Sequence, residues 1–160
     1  MAIEIERKFL VRDDRWRAAA DGGTRLRQGY LNRVSGPEAA RGSVRVRTDG
    51  ARAFINIKSA TLGIRRQEYE YAIPPADAEA MLAGLCVGAV VEKTRYHVTV
   101  GAHRWEIDVF AGENAGLTVA EIELQDEVET FERPAWLGEE VSGDPRYYNV
   151  CLADHPYTRW

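Results

Sequence analysis

Acidic residues recur at a spacing of two in four of the segments with strand-like alternation: Glu4/Glu6, Glu68/Glu70, Glu106/Asp108 and Glu121/Glu123. In an extended backbone the members of such a pair share one face about 7 Å apart. Carboxylates that close repel one another unless a cation or a proton intervenes. All-oxygen ligation selects a hard divalent ion, so the pattern points to Mg2+ or Mn2+ rather than to zinc. Bases recur at the same spacing, Arg45/Arg47 and Lys93/Arg95, with Lys8 and Lys58 in similar settings. Arginine offers forked donors and lysine a point charge, and both suit phosphate oxygens. Acids for a metal beside bases for phosphate point to phosphoryl chemistry on a polyanion.

The same alternation also suits an ordinary half-buried sheet whose charged face is in water, with charges paired across strands. Against that reading stands the clustering by sign, because mixed signs within each strand would serve solvation better. Lone histidines (His97, His103, His155) read as packing or surface residues, with no paired acid or metal-ligand spacing around them. Ser43, Ser59 and Ser142 lack the local context of an activated hydroxyl.

The elements that must position these residues are mostly strands. In the first, Ile3, Ile5, Phe9 and Val11 oppose Glu4, Glu6 and Lys8. A short Asp-capped helix over 12–20 precedes Gly22-Gly23, and 24–31 is a strand with Leu26, Gln28 and Tyr30 on one face. Residues 33–42 read as a loop. Asp49-Gly50 joins strands 43–48 and 52–59 in a hairpin that brings Arg45, Arg47 and Lys58 together. Strand 64–73 ends at Pro74-Pro75, which opens a helix over 76–85 with Ala78, Met81, Leu82 and Leu85 on one stripe. Strands over 90–100, 103–110 and 117–124 follow, and the tail carries a short helix over 146–153. Eight strands with short connections predict a mainly β fold with flanking helices, an eight-stranded antiparallel closed barrel.

At 160 residues the chain reads as one domain over 1–160. Acids and bases nearly balance at a net charge of −4, which argues against a general nucleic-acid or anionic-membrane surface. Cys86 and Cys151 are far apart and follow no CxxC pattern, so both are expected to be reduced and structural. The chain opens directly on the charged strand, and no apolar run approaches the ~18 residues of a membrane span. A cytoplasmic location is expected.

Glu4-Ile5-Glu6-Arg7-Lys8-Phe9 resembles the ExExK signature of the CYTH superfamily, the triphosphate tunnel metalloenzymes. The resemblance extends through Arg45-Val46-Arg47, Ile57-Lys58, Glu68-Tyr69-Glu70, Glu92-Lys93-Thr94-Arg95-Tyr96, Glu106-Ile107-Asp108 and Ala120-Glu121-Ile122-Glu123-Leu124. It implies a tunnel with a charged lumen that binds a triphosphate and divalent cations. Glu4, Glu6, Glu121 and Glu123 would then bind the metal, with Asp108 and Glu106 assisting. Lys8, Arg45, Arg47, Lys58, Lys93 and Arg95 would cradle the phosphates, joined by Arg104 and, from near the tunnel mouth, by Arg146. Glu68 and Glu70 would line the tunnel at a second metal or orient the attacking water, and Lys8 would also act in catalysis. Tyr30 fits either a tunnel-lining or a core position.

The activity expected from this resemblance is metal-dependent hydrolysis of inorganic tripolyphosphate to diphosphate and phosphate. A class IV-type adenylyl cyclase would use the same lumen to make cyclic AMP, and a thiamine triphosphatase would need an aromatic contact from Trp105 or Tyr30. A polyphosphate-binding module without turnover would not need intact acid pairs, and a lipocalin-like barrel predicts an apolar lumen. The partner expected is a small triphosphate, with no nucleic acid and no membrane; a homodimer is compatible with this reading.

Overall fold

The structure is a computed structural model that describes residues 2–34 and 40–160, so the part of the 33–42 loop over 35–39 lies outside the described residues. Nine strands make one antiparallel sheet: β1 (Ile3–Val11), β2 (Thr24–Tyr30), β3 (Gly42–Thr48), β4 (Ala53–Ser59), β5 (Arg65–Ile73), β6 (Val87–Val100), β7 (His103–Ala111), β8 (Thr118–Leu124) and β9 (Leu137–Glu140). Their order is β5-β4-β3-β2-β6-β7-β8-β1-β9, and a further pairing of β5 with β1 closes eight of them into a ring. The ninth, β9, lies within what the sequence offered only as a tail. It has just four residues and pairs with the end of β1 that β5 leaves free. So short a segment gives period-two alternation little to register on.

Charge faces inward here because the outer face has its own cover. Ile5, Phe9, Trp105, Ile107, Ile122 and Leu124 point away from the ring and are buried with Trp16 and Trp136. Trp105 stands edge-on to Phe9 at 5.6 Å and to Trp136 at 5.7 Å, the arrangement that ring quadrupoles favour. Trp16 comes from the 3-10 helix Arg15–Ala19, found where a helix over 12–20 was expected. Asp14, at its cap position, makes no side-chain cap bond; Asp13 instead accepts from the Arg15 backbone N–H at 2.9 Å.

Helix α1 (Pro75–Gly84) begins at a proline, as expected, and buries Ala78 and Leu82 against Val46 and Ala53. Leu85, placed on the apolar stripe from sequence, lies past the helix end and is 63% exposed. The hairpin at Asp49-Gly50 forms with Thr48 opposite Ala53; Gly50 adopts φ 95° and Asp49 Oδ1 accepts from the backbone N–H groups of Ala51 and Arg52 at 2.9 and 2.7 Å.

The C-terminal helix is shorter than expected. A 3-10 turn over Pro145–Tyr147 is followed by an extended Tyr148 (φ −68°, ψ 133°), and helix α2 runs only from Asn149 to Asp154. Leu152 and Ala153 pack with Tyr30, Val91, Phe110 and Val119. This approach depends on a shift of register between β2 and β6, where Gln28 faces Val91 but Tyr30 faces Val87. Gly88, in the shifted stretch, has φ 69°, and a Cβ there would come within 2.5 Å of the Ala153 carbonyl oxygen.

Candidate active site

The ring encloses a cavity of about 270 Å³ walled largely by charge. Glu4, Glu6 and Lys8 of β1, Arg45 and Arg47 of β3, Lys58 of β4, Glu68 and Glu70 of β5, Lys93 and Arg95 of β6, Glu106 of β7, and Glu121 and Glu123 of β8 all line it. Each set comes from alternate residues of its strand, so period two and the outer apolar cover together point these side chains inward.

The bases fall into two groups by what holds them. Lys58 bridges Glu4 at 3.1 Å and Glu68 at 3.0 Å. Arg95 lies against both oxygens of Asp108 at 2.7 and 2.8 Å and against Glu106 at 2.5 Å. Lys93 is 2% exposed and donates to Asp108 at 2.8 Å; burial pushes its amine down to about 8, despite that carboxylate. Arg47 is more loosely held, 3.7 Å from Glu70, and burial with the positive charges of Arg45 and Arg95 pushes it down to about 10. Arg45 is only 8% exposed, and its Nε is a buried donor with no partner among the described residues. A buried arginine with donors to spare, in a wall that already depresses its neighbour Arg47, is suited to an anion.

The acids show the opposite strain. Glu6 lies opposite Glu123 across β1 and β8, and Glu106 lies opposite Glu121 across β7 and β8. Burial, and then the charges of Glu121 and Glu4, lift the Glu6 carboxyl well above the usual carboxylate range, and it shares a hydrogen bond with Glu121. Burial also raises Glu121, but Lys8, Arg95 and Lys93 outweigh it and hold that carboxyl well below the usual range. Glu123 is raised by burial and by Glu4, Glu106 and Glu68. The Glu121 carboxylate thus disfavours ionisation of Glu6 beside it.

This donor set fits a hard divalent cation, since crowded carboxylates that repel one another are neutralised by a bound metal. Among the described residues, no three His, Cys, Asp or Glu side chains converge on one point. The acids turn instead toward bases: Glu4 toward Lys58 and Arg66, and Glu121 toward Lys8 at 3.7 Å.

Three residues expected at the site lie elsewhere. Asp108 is 0% exposed and is not in the cavity wall; its oxygens are taken up by Lys93 and Arg95, as their counter-ion. Arg104, close to the β6–β7 turn, is not in this wall; it lines an adjoining hollow with His103 and Glu129 that shares Glu106 and Glu123 with the cavity. Arg146 is tied to Asp144 at 2.8 Å and stacks over Trp160 at 4.8 Å, away from the cavity. Trp105, considered for a head-group contact, is buried in the outer core. Tyr30 is both lining and core: it borders the cavity and packs beside Leu152.

Sequence reasoning missed Arg66, Tyr148 and Asn149, all in the cavity wall. Arg66 was findable, because it precedes Glu68 and Glu70 on the same face of β5; it reaches Glu4 at 3.7 Å and Glu6 at 3.9 Å. Tyr148 and Asn149 had no such signal, because the turn before α2 decides which of residues 146–149 points inward. Helix α2 and that turn close one end of the tunnel with Tyr148, Asn149 and Val150.

Comparison with known proteins agrees with this architecture. An inorganic triphosphatase of Acetivibrio thermocellus is 44% identical over 157 residues, covering 98% of this chain and 97% of its own. One from Nitrosomonas europaea is 40% identical and covers 94% of this chain and 96% of its own. A crystal structure of an inorganic triphosphatase, 39% identical, matches 93% of this chain and 96% of that one with a TM-score of 0.63. The CYTH domain matches residues 2–148. With the closed eight-stranded ring and its charged interior, these matches make this chain a member of the CYTH domain family.

Proposed function

We propose that this protein hydrolyses inorganic tripolyphosphate to diphosphate and phosphate with Mg2+ or Mn2+. The observation that carries the reading is the division of one cavity wall into crowded acids, Glu6 opposite Glu123 and Glu106 opposite Glu121, and an under-partnered basic cluster around Arg45 and Arg47. The relatives named inorganic triphosphatase support the same substrate.

In this reading, Glu6, Glu121 and Glu123 hold the cation, with Glu4 and Glu106 beside them. A bound divalent ion supplies charge neutralisation on the phosphate oxygens and polarises the phosphorus under attack. Arg45, Arg47, Arg95, Lys93, Lys8 and Lys58 hold the chain of phosphates, and Lys8 also stabilises charge on the leaving oxygen. Binding requires an exchange of partners, in which Lys58 and Lys8 turn from Glu4 and Glu121 toward phosphate. Glu68 and Glu70 orient a water for in-line attack and accept its proton; a bond forms from the water oxygen to phosphorus as the bridging P–O bond breaks. The wall offers no covalent nucleophile: its one serine, Ser43, has no base bonded to it among the described residues.

The same reading places the protein in the cytoplasm, in keeping with its unpaired cysteines Cys86 and Cys151, whose thiols burial pushes up. It also includes a homodimer, supported by β5. That strand meets β1 only over Arg65–Gln67, which leaves one edge of Tyr69–Ile73 unpaired beside exposed Tyr69, Tyr71 and Ile57. The deciding assay is phosphate release from tripolyphosphate, ATP and thiamine triphosphate with each metal and with EDTA, with the products separated. Metal-dependent release led by tripolyphosphate is the expected result; cyclic AMP from ATP, or no turnover, would refute the proposal.

A further inference from the structure

The C-terminal closure of the tunnel also grips the bases. The backbone carbonyl of Tyr147 accepts from Lys8 Nζ at 3.1 Å, and the ring of Tyr148 lies 5.8 Å from both the Lys8 amine and the Arg66 guanidinium. Asn149 is the most connected of the three. Its Oδ1 accepts from Lys93 Nζ at 2.9 Å and from Gln28 Nε2 at 3.0 Å, and Gln28 Nε2 also approaches the Tyr30 hydroxyl at 3.3 Å.

A lysine ammonium has three N–H donors in tetrahedral array. Asp108 at 2.8 Å and Asn149 at 2.9 Å take up two, which leaves one donor for the cavity that Lys93 lines. The contact lies one residue past the end of the CYTH domain match at residue 148. It comes from a helix seated where Gly88 admits the Ala153 carbonyl.

We infer that Asn149 is a positioning residue for the triphosphate: its side-chain oxygen fixes the Lys93 amine so that the remaining N–H meets a phosphate oxygen. The inference rests on the proposed triphosphatase reading. Without that oxygen, Lys93 has only Asp108 to orient it, and the amine is free to swing about that single contact, away from the substrate. Lys93 would hold phosphate equally in the ground and transition states, so the loss falls on KM rather than on kcat.

The test is steady-state kinetics with tripolyphosphate and saturating Mg2+ on wild type, Asn149→Ala and Leu152→Ala, with the folded fraction measured by circular dichroism. Leu152 anchors the same helix against Tyr30, Val91, Phe110 and Val119 without itself lining the cavity. Asn149→Ala is expected to raise KM about tenfold to a hundredfold, the range for a hydrogen bond to a charged group, with kcat within about threefold of wild type. Leu152→Ala is expected to lower the melting temperature and leave KM unchanged. A merely structural role would lower the active fraction, and so apparent kcat, without moving KM. An unchanged KM in Asn149→Ala, or an equal rise in Leu152→Ala, would overturn the inference. Wild-type protein that neither binds tripolyphosphate by calorimetry nor hydrolyses it would refute the underlying reading, whatever the variants do.

Discussion

At the scale of single residues, the cavity is organised by charges that lack their best partners. Burial and its acidic neighbours raise the Glu6 carboxyl well above the usual carboxylate range. A carboxyl whose folded pKa is raised favours folding least once pH exceeds that pKa, because the unfolded chain sheds the proton more readily. Metal-free protein should therefore lose stability as pH rises from the ordinary glutamate range through the raised one. Glu6→Gln should remove that slope, raise the metal-free melting temperature at neutral pH, and abolish thermal stabilisation by Mn2+. Scanning calorimetry against pH, with and without Mn2+, checks all three; a variant still stabilised by Mn2+ would remove Glu6 from the metal set.

Arg45 makes the matching test on the anion side. Its orphan Nε and its place in the wall predict that Arg45→Ala raises KM for tripolyphosphate about tenfold to a hundredfold. Arg45→Lys should recover only part of this, because lysine lacks the forked donors. Kinetics on both variants checks the ordering; full recovery by lysine would mean that only the charge matters.

At the scale of elements, period two made β1 to β8 readable, and with them every strand-borne acid and base now in the wall except Arg66. It also put Asp108 and Arg104 on the lumen face of β7. Alternation fixes a face but not depth, and depth separates Asp108, buried beneath two bases, from Glu106 at the wall. Position along the strand was equally silent about Arg104, near the turn. The C-terminal segment was least legible, since an extended Tyr148 between two short helical turns rotates Arg146 outward and Asn149 inward.

Two element-level predictions follow from the cover around the ring. Gly88→Ala meets both a positive φ and a backbone carbonyl 2.5 Å from the new Cβ, and should cost about 1–3 kcal/mol in urea unfolding. A loss below about 0.5 kcal/mol, the level of a neutral surface change, would show that α2 does not need this approach. Trp105→Ala should cost about 3–5 kcal/mol while leaving KM per folded molecule unchanged, since its ring faces the outer core and not the cavity.

At the scale of the whole molecule, no helix among the described residues is long and apolar enough to cross a membrane. The open edge of β5 predicts a concentration-dependent dimer in sedimentation equilibrium, weakened by Tyr71→Glu; a monomer at every concentration would remove that interface. The ring, the closure of one end by α2 and the division of the wall by sign make one claim together: the tunnel is a metal-loaded triphosphate site. The most direct test is phosphate release from tripolyphosphate by wild type and by Glu123→Gln, each with Mn2+ and with EDTA. Rapid release by wild type with Mn2+, abolished by EDTA and by the substitution in a folded variant, is the predicted result. Equal release with EDTA, or an unimpaired Glu123→Gln, would contradict it.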